Sequence, residues 1–95
     1  MMHNPMHPGD FIKQAYVDDL GLSIRKIAKG LNVAPSTLAR LVKGESNVTP
    51  EMAMRLSKAL HGSPELWLNM QKNFDLWQLR KMDMRRVTKI ETKAA

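Results

Sequence analysis

The segment LSIRKIAKGLNVAPSTLARLVKG, residues 22–44, contains two short helix patterns with only a few residues between them. Ser23 is a good N-cap for the first helix, and Asn32 tolerates the left-handed conformation that a sharp turn after a helix requires. Pro35 suits the first position of the second helix, because the N–H that it lacks would have no partner there. Two helices joined this closely must meet at a steep angle, so the segment predicts a helix-turn-helix.

The other side chains of this segment fit the same arrangement. Ala28 is small at the position where the two helices are expected to come closest. Apolar residues at helical spacing are expected to pack the helices together. These residues are Ile27, Leu31, Val33, Leu38 and Leu41.

Helix-start signals recur on both sides of the segment. The sequence PGD (8–10) begins a first helix that is expected to end at Gly21. The sequences TPE (49–51) and SPE (63–65) each combine a hydroxyl cap, a proline and an acid near the positive helix end, and they begin a fourth and a fifth helix. Almost nothing indicates strands, so we expect an all-α fold of five helices.

The chain is predicted to form one domain followed by a tail. Residues 1–80 are expected to be the helix-turn-helix domain, and residues 81–95 a basic tail in which VTKIET (87–92) forms a short strand or is disordered. A chain of 95 residues is near the lower limit for a self-sufficient core, so we expect a homodimer. An apolar stripe on the fifth helix, whose members are alternately three and four residues apart, is assigned to the dimer interface. Such a stripe is also typical of a hydrophobic core. The members of this stripe are Trp67, Met70, Phe74 and Trp77.

Positive charge is concentrated in two zones. The chain carries a formal net charge of +6, and residues 20–44 contain five basic residues and no acidic one. From Gln78 to the C-terminus there are six basic and two acidic residues. This distribution favours a polyanionic partner or an acidic protein partner.

Several other classes of protein fit the sequence less well. No apolar run approaches the roughly 18 to 20 residues that span a bilayer, and the N-terminus lacks a signal-peptide pattern. The chain has no cysteine, which excludes disulfides and thiolate metal sites, so we expect a cytoplasmic protein. His3, His7 and Asp10 are close in sequence, but Pro5 and Pro8 prevent the helix that would align them as metal ligands. We expect no metal, no cofactor and no enzymatic activity, and assign His7 to the entry of the first helix.

The third helix has a polar face opposite its leucines. At about 100° per residue, Ser36, Thr37 and Arg40 lie on one side of this helix. Hydroxyl side chains reach base edges or phosphates at close range, and arginine can form a bidentate contact to guanine. We therefore predict that this helix enters the major groove of DNA. Ser23 is placed for a phosphate at the start of the second helix, and Lys43 and Asn47 are placed for the DNA backbone on the far side.

Residues 5–77 resemble the HigA/VapI antitoxins, a group within the phage-repressor-like helix-turn-helix superfamily. The resemblance is carried by residues 22–44 together with HPGDF (7–11), TPEMAMRLSKAL (49–60) and SPELWLNMQ (63–71), the last of which is not general to repressors. It implies a homodimer that binds a palindromic operator in its own promoter. It also implies a protein partner, a toxin of the HigB/RelE-like mRNA endonuclease type.

The resemblance assigns DNA-facing positions that agree with the helical angles. They are Ser23, Pro35, Ser36, Thr37 and Arg40. Related repressors often have a glutamine where this chain has Pro35, so base recognition is expected to depend more on Arg40 and on DNA shape. The alternative to an antitoxin is a stand-alone helix-turn-helix repressor with no toxin partner.

Overall fold

The computed structural model describes residues 4–93 and contains five helices in the predicted order. The helices are α1 (Pro8–Ile12), α2 (Ile24–Leu31), α3 (Pro35–Val42), α4 (Pro50–Ala59) and α5 (Pro64–Gln78), and α1 continues as a π-helix over Lys13–Asp18. No strand occurs within the described range. The prediction of an all-α fold with five helices is confirmed.

Capping hydrogen bonds confirm three of the predicted helix starts. At Ser23, Thr49 and Ser63 the side-chain oxygen accepts from the backbone N–H three residues later, at 3.0, 3.2 and 3.1 Å respectively. A cap of this kind typically stabilises a helix by about 1 kcal/mol. α3 has no side-chain cap, and Pro35 occupies its first helical position.

The turn between α2 and α3 has the predicted geometry. Asn32 is left-handed with a φ of 58°, and the backbone N–H of Val33 donates to the carbonyl oxygen of Ala28 at 3.0 Å. Ala28 has no accessible surface, and α2 packs against both α3 and α4. The small residue expected between the helices is therefore buried.

All five helices contribute to one core. The loop before α4 adds one further apolar side chain. The buried apolar residues are Ile12, Ile27, Ala28, Leu31, Leu38, Leu41, Val48, Ala53, Leu56 and Trp67. Because α2 and α3 bury their apolar stripes in this core, their remaining faces are left for solvent or a partner.

The first helix differs from its prediction. The sequence predicts one helix from Pro8 to Gly21, but regular α geometry ends at Ile12. In the π-helix that follows, the backbone N–H of Asp19 donates to the carbonyl oxygen of Gln14, five residues earlier, at 3.0 Å. The prediction is correct about the position of this helix and wrong about its winding.

The π-helix brings Tyr16 to the turn between α4 and α5. The Tyr16 hydroxyl is hydrogen-bonded to Nδ1 of His61, and burial raises the pKa of this hydroxyl above its usual value, so the hydroxyl keeps its proton at neutral pH. Phe11 and Trp67 surround the same imidazole, with ring centroids 6.1 and 6.0 Å from it. The Tyr16 contact is made from the π-helix. These contacts could not be predicted from the apolar periodicity of the first helix, because they involve residues from other parts of the chain.

Trp67 lies in the core of the protomer. Its side chain has no accessible surface, and its indole N–H donates to the carbonyl oxygen of His61 at 2.9 Å. The prediction that places Trp67 in a dimer interface is wrong for this residue, because a side chain without accessible surface cannot contact a partner. The other three predicted interface residues are partly exposed: Met70, Phe74 and Trp77.

The chain leaves the helical domain after α5. Residues 79–93 are exposed throughout, and the strand that the sequence allows at 87–92 is not formed. His3 and residues 94–95 of the predicted tail lie outside the described residues. Between residues 4 and 93, no helix is long and apolar enough to cross a membrane.

Candidate DNA-binding surface

One face of α3 is exposed and carries the residues that are predicted to face DNA. Pro35, Ser36 and Arg40 are exposed, and Thr37 is partly buried at the edge of the face. The two leucines of the helix face the core instead. The fold therefore brings these four predicted residues together on one side of an eight-residue helix.

The cations on this surface have no acidic partner among the residues that the structure describes. The salt bridges found within residues 4–93 involve Lys13, Arg55 and Arg85, each with an Asp or Glu. Arg40 and Lys43 take part in none of these pairs, and both are exposed. Their charges are therefore available to phosphates, which supply much of the binding free energy in protein–DNA complexes.

Ser23 has a structural role at the position predicted for a phosphate contact. Its Oγ accepts from the backbone N–H of Lys26 at 3.0 Å and so caps α2. A hydroxyl oxygen that accepts this bond keeps its own proton, which it can donate to a phosphate oxygen. The free N–H groups of the first helical turn lie at the same end of α2, where an anion is favoured.

Asn47 is hydrogen-bonded to α5. Its Oδ1 accepts from Nε2 of Gln71 at 3.2 Å, and Oε1 of Gln71 accepts from the backbone N–H of Val48 at 2.8 Å. These two bonds fix the loop after α3, and they leave the amide nitrogen of Asn47 for a phosphate. Gln71 was not predicted as part of this surface, although a polar side chain four residues after Trp67, on a buried stripe, needs such partners.

Arg55 on α4 holds the turn of the helix-turn-helix motif. Its Nη1 donates to the carbonyl oxygens of Leu31 and Asn32 at 2.9 and 3.2 Å. Its Nε and Nη2 donate to Oε2 of Glu51 at 3.2 and 2.9 Å, which orients the guanidinium. This contact was not predicted, since the spacing of four residues between Glu51 and Arg55 indicates only their ion pair.

Replacing Arg55 with glutamine should lower the free energy of unfolding by about 2 kcal/mol, because the turn carbonyls would no longer accept hydrogen bonds from a charged donor. The matched control is Lys58→Gln, which removes a charge from an exposed position one turn later on α4. Denaturant unfolding of both variants tests the assignment. Equal stability of the two variants would show that Arg55 does not hold the turn.

Gly9 allows α1 to approach the C-terminal end of α3. A β-carbon added at Gly9 would lie 1.9 Å from the carbonyl oxygen of Leu41, far inside van der Waals contact. His7 caps α1, and its Nδ1 accepts from the backbone N–H of Gly9 at 2.9 Å, which confirms its predicted place at the entry of this helix. The position of α3 therefore depends on the missing side chain at Gly9.

Several known proteins have sequences similar to that of this chain. The family model described as Helix-turn-helix matches residues 12–67. YddM of Escherichia coli K12, described as an uncharacterized HTH-type transcriptional regulator, is 39% identical over 92 residues, which are 96% of this chain and 97% of that protein. Antitoxin HigA-1 of Vibrio cholerae is 32% identical over 76 residues, which are 80% of this chain and 71% of that protein.

A solved structure shares the fold over almost the whole chain. The antitoxin GraA, in complex with its operator, has a TM-score of 0.81 and 29% sequence identity, and the match covers 97% of each chain. Sequence and structure together confirm the resemblance to HigA antitoxins. This chain belongs to the helix-turn-helix family that includes those antitoxins.

Proposed function

We propose that this chain is the antitoxin of a type II toxin–antitoxin system. As a homodimer it binds a palindromic operator in its own promoter, and it neutralises a toxin of the HigB/RelE-like mRNA endonuclease type. The observation that carries the proposal is the exposed face of α3, where Ser36, Thr37 and Arg40 stand together and Arg40 has no acidic partner among residues 4–93. The relationship to HigA-1 and GraA supports the antitoxin assignment.

In this proposal α3 lies in the major groove with its N-terminal end near the base edges. Arg40 forms a bidentate contact to guanine, while Ser36 and Thr37 contact bases or phosphates nearby. Pro35 has no side-chain donor or acceptor, so the base pair next to it is read by shape alone. Ser23, Lys43 and Asn47 contact phosphates on the two sides of the groove.

The homodimer is proposed to form along α5 and to present two copies of α3 about one helical turn of DNA apart. Met70, Phe74 and Trp77 are partly exposed, and Leu76 between them is 62% exposed. An apolar stripe of this kind is favourable to cover with a second protein surface. Sedimentation at micromolar concentration should show a dimer, and a monomer there would contradict this arrangement.

A second candidate function is a stand-alone repressor with no toxin partner, which the relationship to the transcriptional regulator YddM favours. Co-expression with the product of the neighbouring gene separates the two. A co-purifying complex in which that gene product loses its toxicity supports the antitoxin. A neighbour that neither binds nor harms the cell, combined with a gel shift of the upstream DNA, supports the stand-alone repressor.

Replacing Arg40 with alanine should weaken binding to the chain's own upstream operator by about 1–3 kcal/mol and relax specificity at one base pair. The matched control is Lys43→Ala, which should weaken binding to all sequences alike and reduce the salt dependence. Fluorescence anisotropy with operators that carry single base-pair changes measures both effects. If Arg40→Ala binds the operator as tightly as the parent, α3 is not the recognition helix.

A further inference from the structure

The segment after α5 holds most of the chain's net charge and packs against almost nothing. Residues 79–93 contain six Lys or Arg and two Asp or Glu, which accounts for four of the chain's six net positive charges. Every residue of this segment is exposed. Neither the core nor the α3 surface explains this concentration of charge.

Within this segment the acid nearest α5 is already neutralised. Asp83 accepts from the Arg85 side chain at 3.0 and 2.9 Å, and hydrogen bonds from the side chain and then the backbone of Arg85 lower the pKa of Asp83. Several other cations of the segment form no salt bridge with residues 4–93. These cations are Lys81, Arg86, Lys89 and Lys93.

Arg80 fixes where the segment begins. Its guanidinium lies 3.5 Å from the centre of the Trp77 ring, and its Nη1 donates to the carbonyl oxygen of Trp77 at 2.8 Å. A cation over an indole face is held by the ring's electrostatic field. The first charge of the segment is therefore held against the end of α5, and the remaining cations follow it along an exposed segment.

The segment starts close to the loop after α3 that contains Asn47, which is predicted to contact the DNA backbone. Gln71 on α5 donates to Asn47 in that loop at 3.2 Å, and α5 continues from Gln71 only to Gln78. At a rise of about 1.5 Å per residue, this places the end of α5 roughly 10 Å along the helix from the Asn47 contact. Fifteen extended residues can span up to about 50 Å, so the cations can reach phosphates beyond those that Asn47 would contact.

We infer that residues 79–93 are a second DNA-contacting segment, which binds the sugar-phosphate backbone beside the site that α3 reads. This inference rests on the proposed DNA-binding function and adds a separate site to it. Lysine and arginine side chains on an irregular segment neutralise phosphates without reading sequence. The segment therefore contributes equally to operator and non-operator DNA, whereas α3 distinguishes them.

The test is the double variant Arg86→Gln/Lys89→Gln, compared with Lys58→Gln/Lys72→Gln, which removes the same charge from exposed positions on the helical domain. Affinity is measured against salt on the operator and on an unrelated duplex. The tail variant should make the slope of log K against log salt shallower by about 0.9 for each phosphate that the protein no longer neutralises, equally on both duplexes. Its thermal midpoint should not change, because these side chains pack on nothing in the protomer.

Four results would overturn the inference. An unchanged slope for the tail variant rejects the segment as a DNA site, and so does an equal change in the helical-domain control, which would reflect net charge alone. If the tail variant loses the dimer in sedimentation while DNA binding per dimer is unchanged, the segment contacts a second copy of the chain and not DNA. A parent protein that binds neither duplex would instead reject the proposed DNA-binding function, and the tail site with it.

Discussion

Replacing Gly9 with alanine should lower the free energy of unfolding by about 3 kcal/mol or more. The new β-carbon would lie 1.9 Å from the carbonyl oxygen of Leu41 and 3.0 Å from the Cα of Val42. These are backbone atoms at the end of α3, which cannot move aside as the tip of a flexible side chain can. Overpacking of a closed interface typically costs about 1–3 kcal/mol, and a contact this short with backbone lies at or beyond the upper end.

The expected decrease in the thermal midpoint is on the order of 10–20 °C, because about 1 kcal/mol shifts a domain of this size by 4–8 °C. Operator affinity should fall as well, since α1 can relieve the overlap only by displacing α3. Thermal unfolding and anisotropy on the operator measure the two effects. If the variant unfolds like the parent, the close approach of α1 to α3 is not as described.

Gly30→Ala is the matched control for this experiment. Gly30 lies within α2, and a β-carbon there would meet nothing within 4 Å. Alanine in a helix interior is favoured over glycine by roughly 0.5–1 kcal/mol, so this variant should be slightly more stable than the parent. The same substitution is therefore expected to have opposite effects at the two glycines.

Replacing Trp67 with alanine should destabilise the protomer by about 3–5 kcal/mol, the usual cost of removing a large buried aromatic side chain. The indole has no accessible surface, its ring packs 5.7 Å from that of Phe11, and its N–H donates to the carbonyl oxygen of His61. Unfolding of the purified chain by denaturant measures the effect. Trp67→Phe keeps a ring but removes the N–H donor, and it should remain folded with an intermediate loss of stability.

Trp77→Ala is the control that separates a core residue from an interface residue. Trp77 is partly exposed and is covered on one side by the guanidinium of Arg80. Its removal should affect the stability of the protomer much less, and sedimentation should show a weaker dimer. Should Trp67→Ala leave unfolding unchanged while abolishing the dimer, Trp67 would belong to the interface after all.

The exposed face of α3 could be predicted because it depends on neighbours in the sequence. Asn32 turns the chain, Pro35 starts α3, and the helical period places Arg40 on the face opposite the leucines. The contacts that hold this face in place could not be predicted in the same way. Arg55 binds carbonyl oxygens 23 and 24 residues earlier in the chain, and Gln71 bonds to Asn47 from 24 residues later.

The sequence by itself determined five helix starts, the turn and the composition of the α3 face, since caps, prolines and periodicity act over three or four residues. Only the tertiary structure decided that the first helix widens to bring Tyr16 to His61, and that Trp67 is enclosed instead of lying between two chains. It also decided that Gly9 must lack a side chain. Each of these three features depends on a backbone or ring that is distant in the sequence. Such groups come together only when the helices pack.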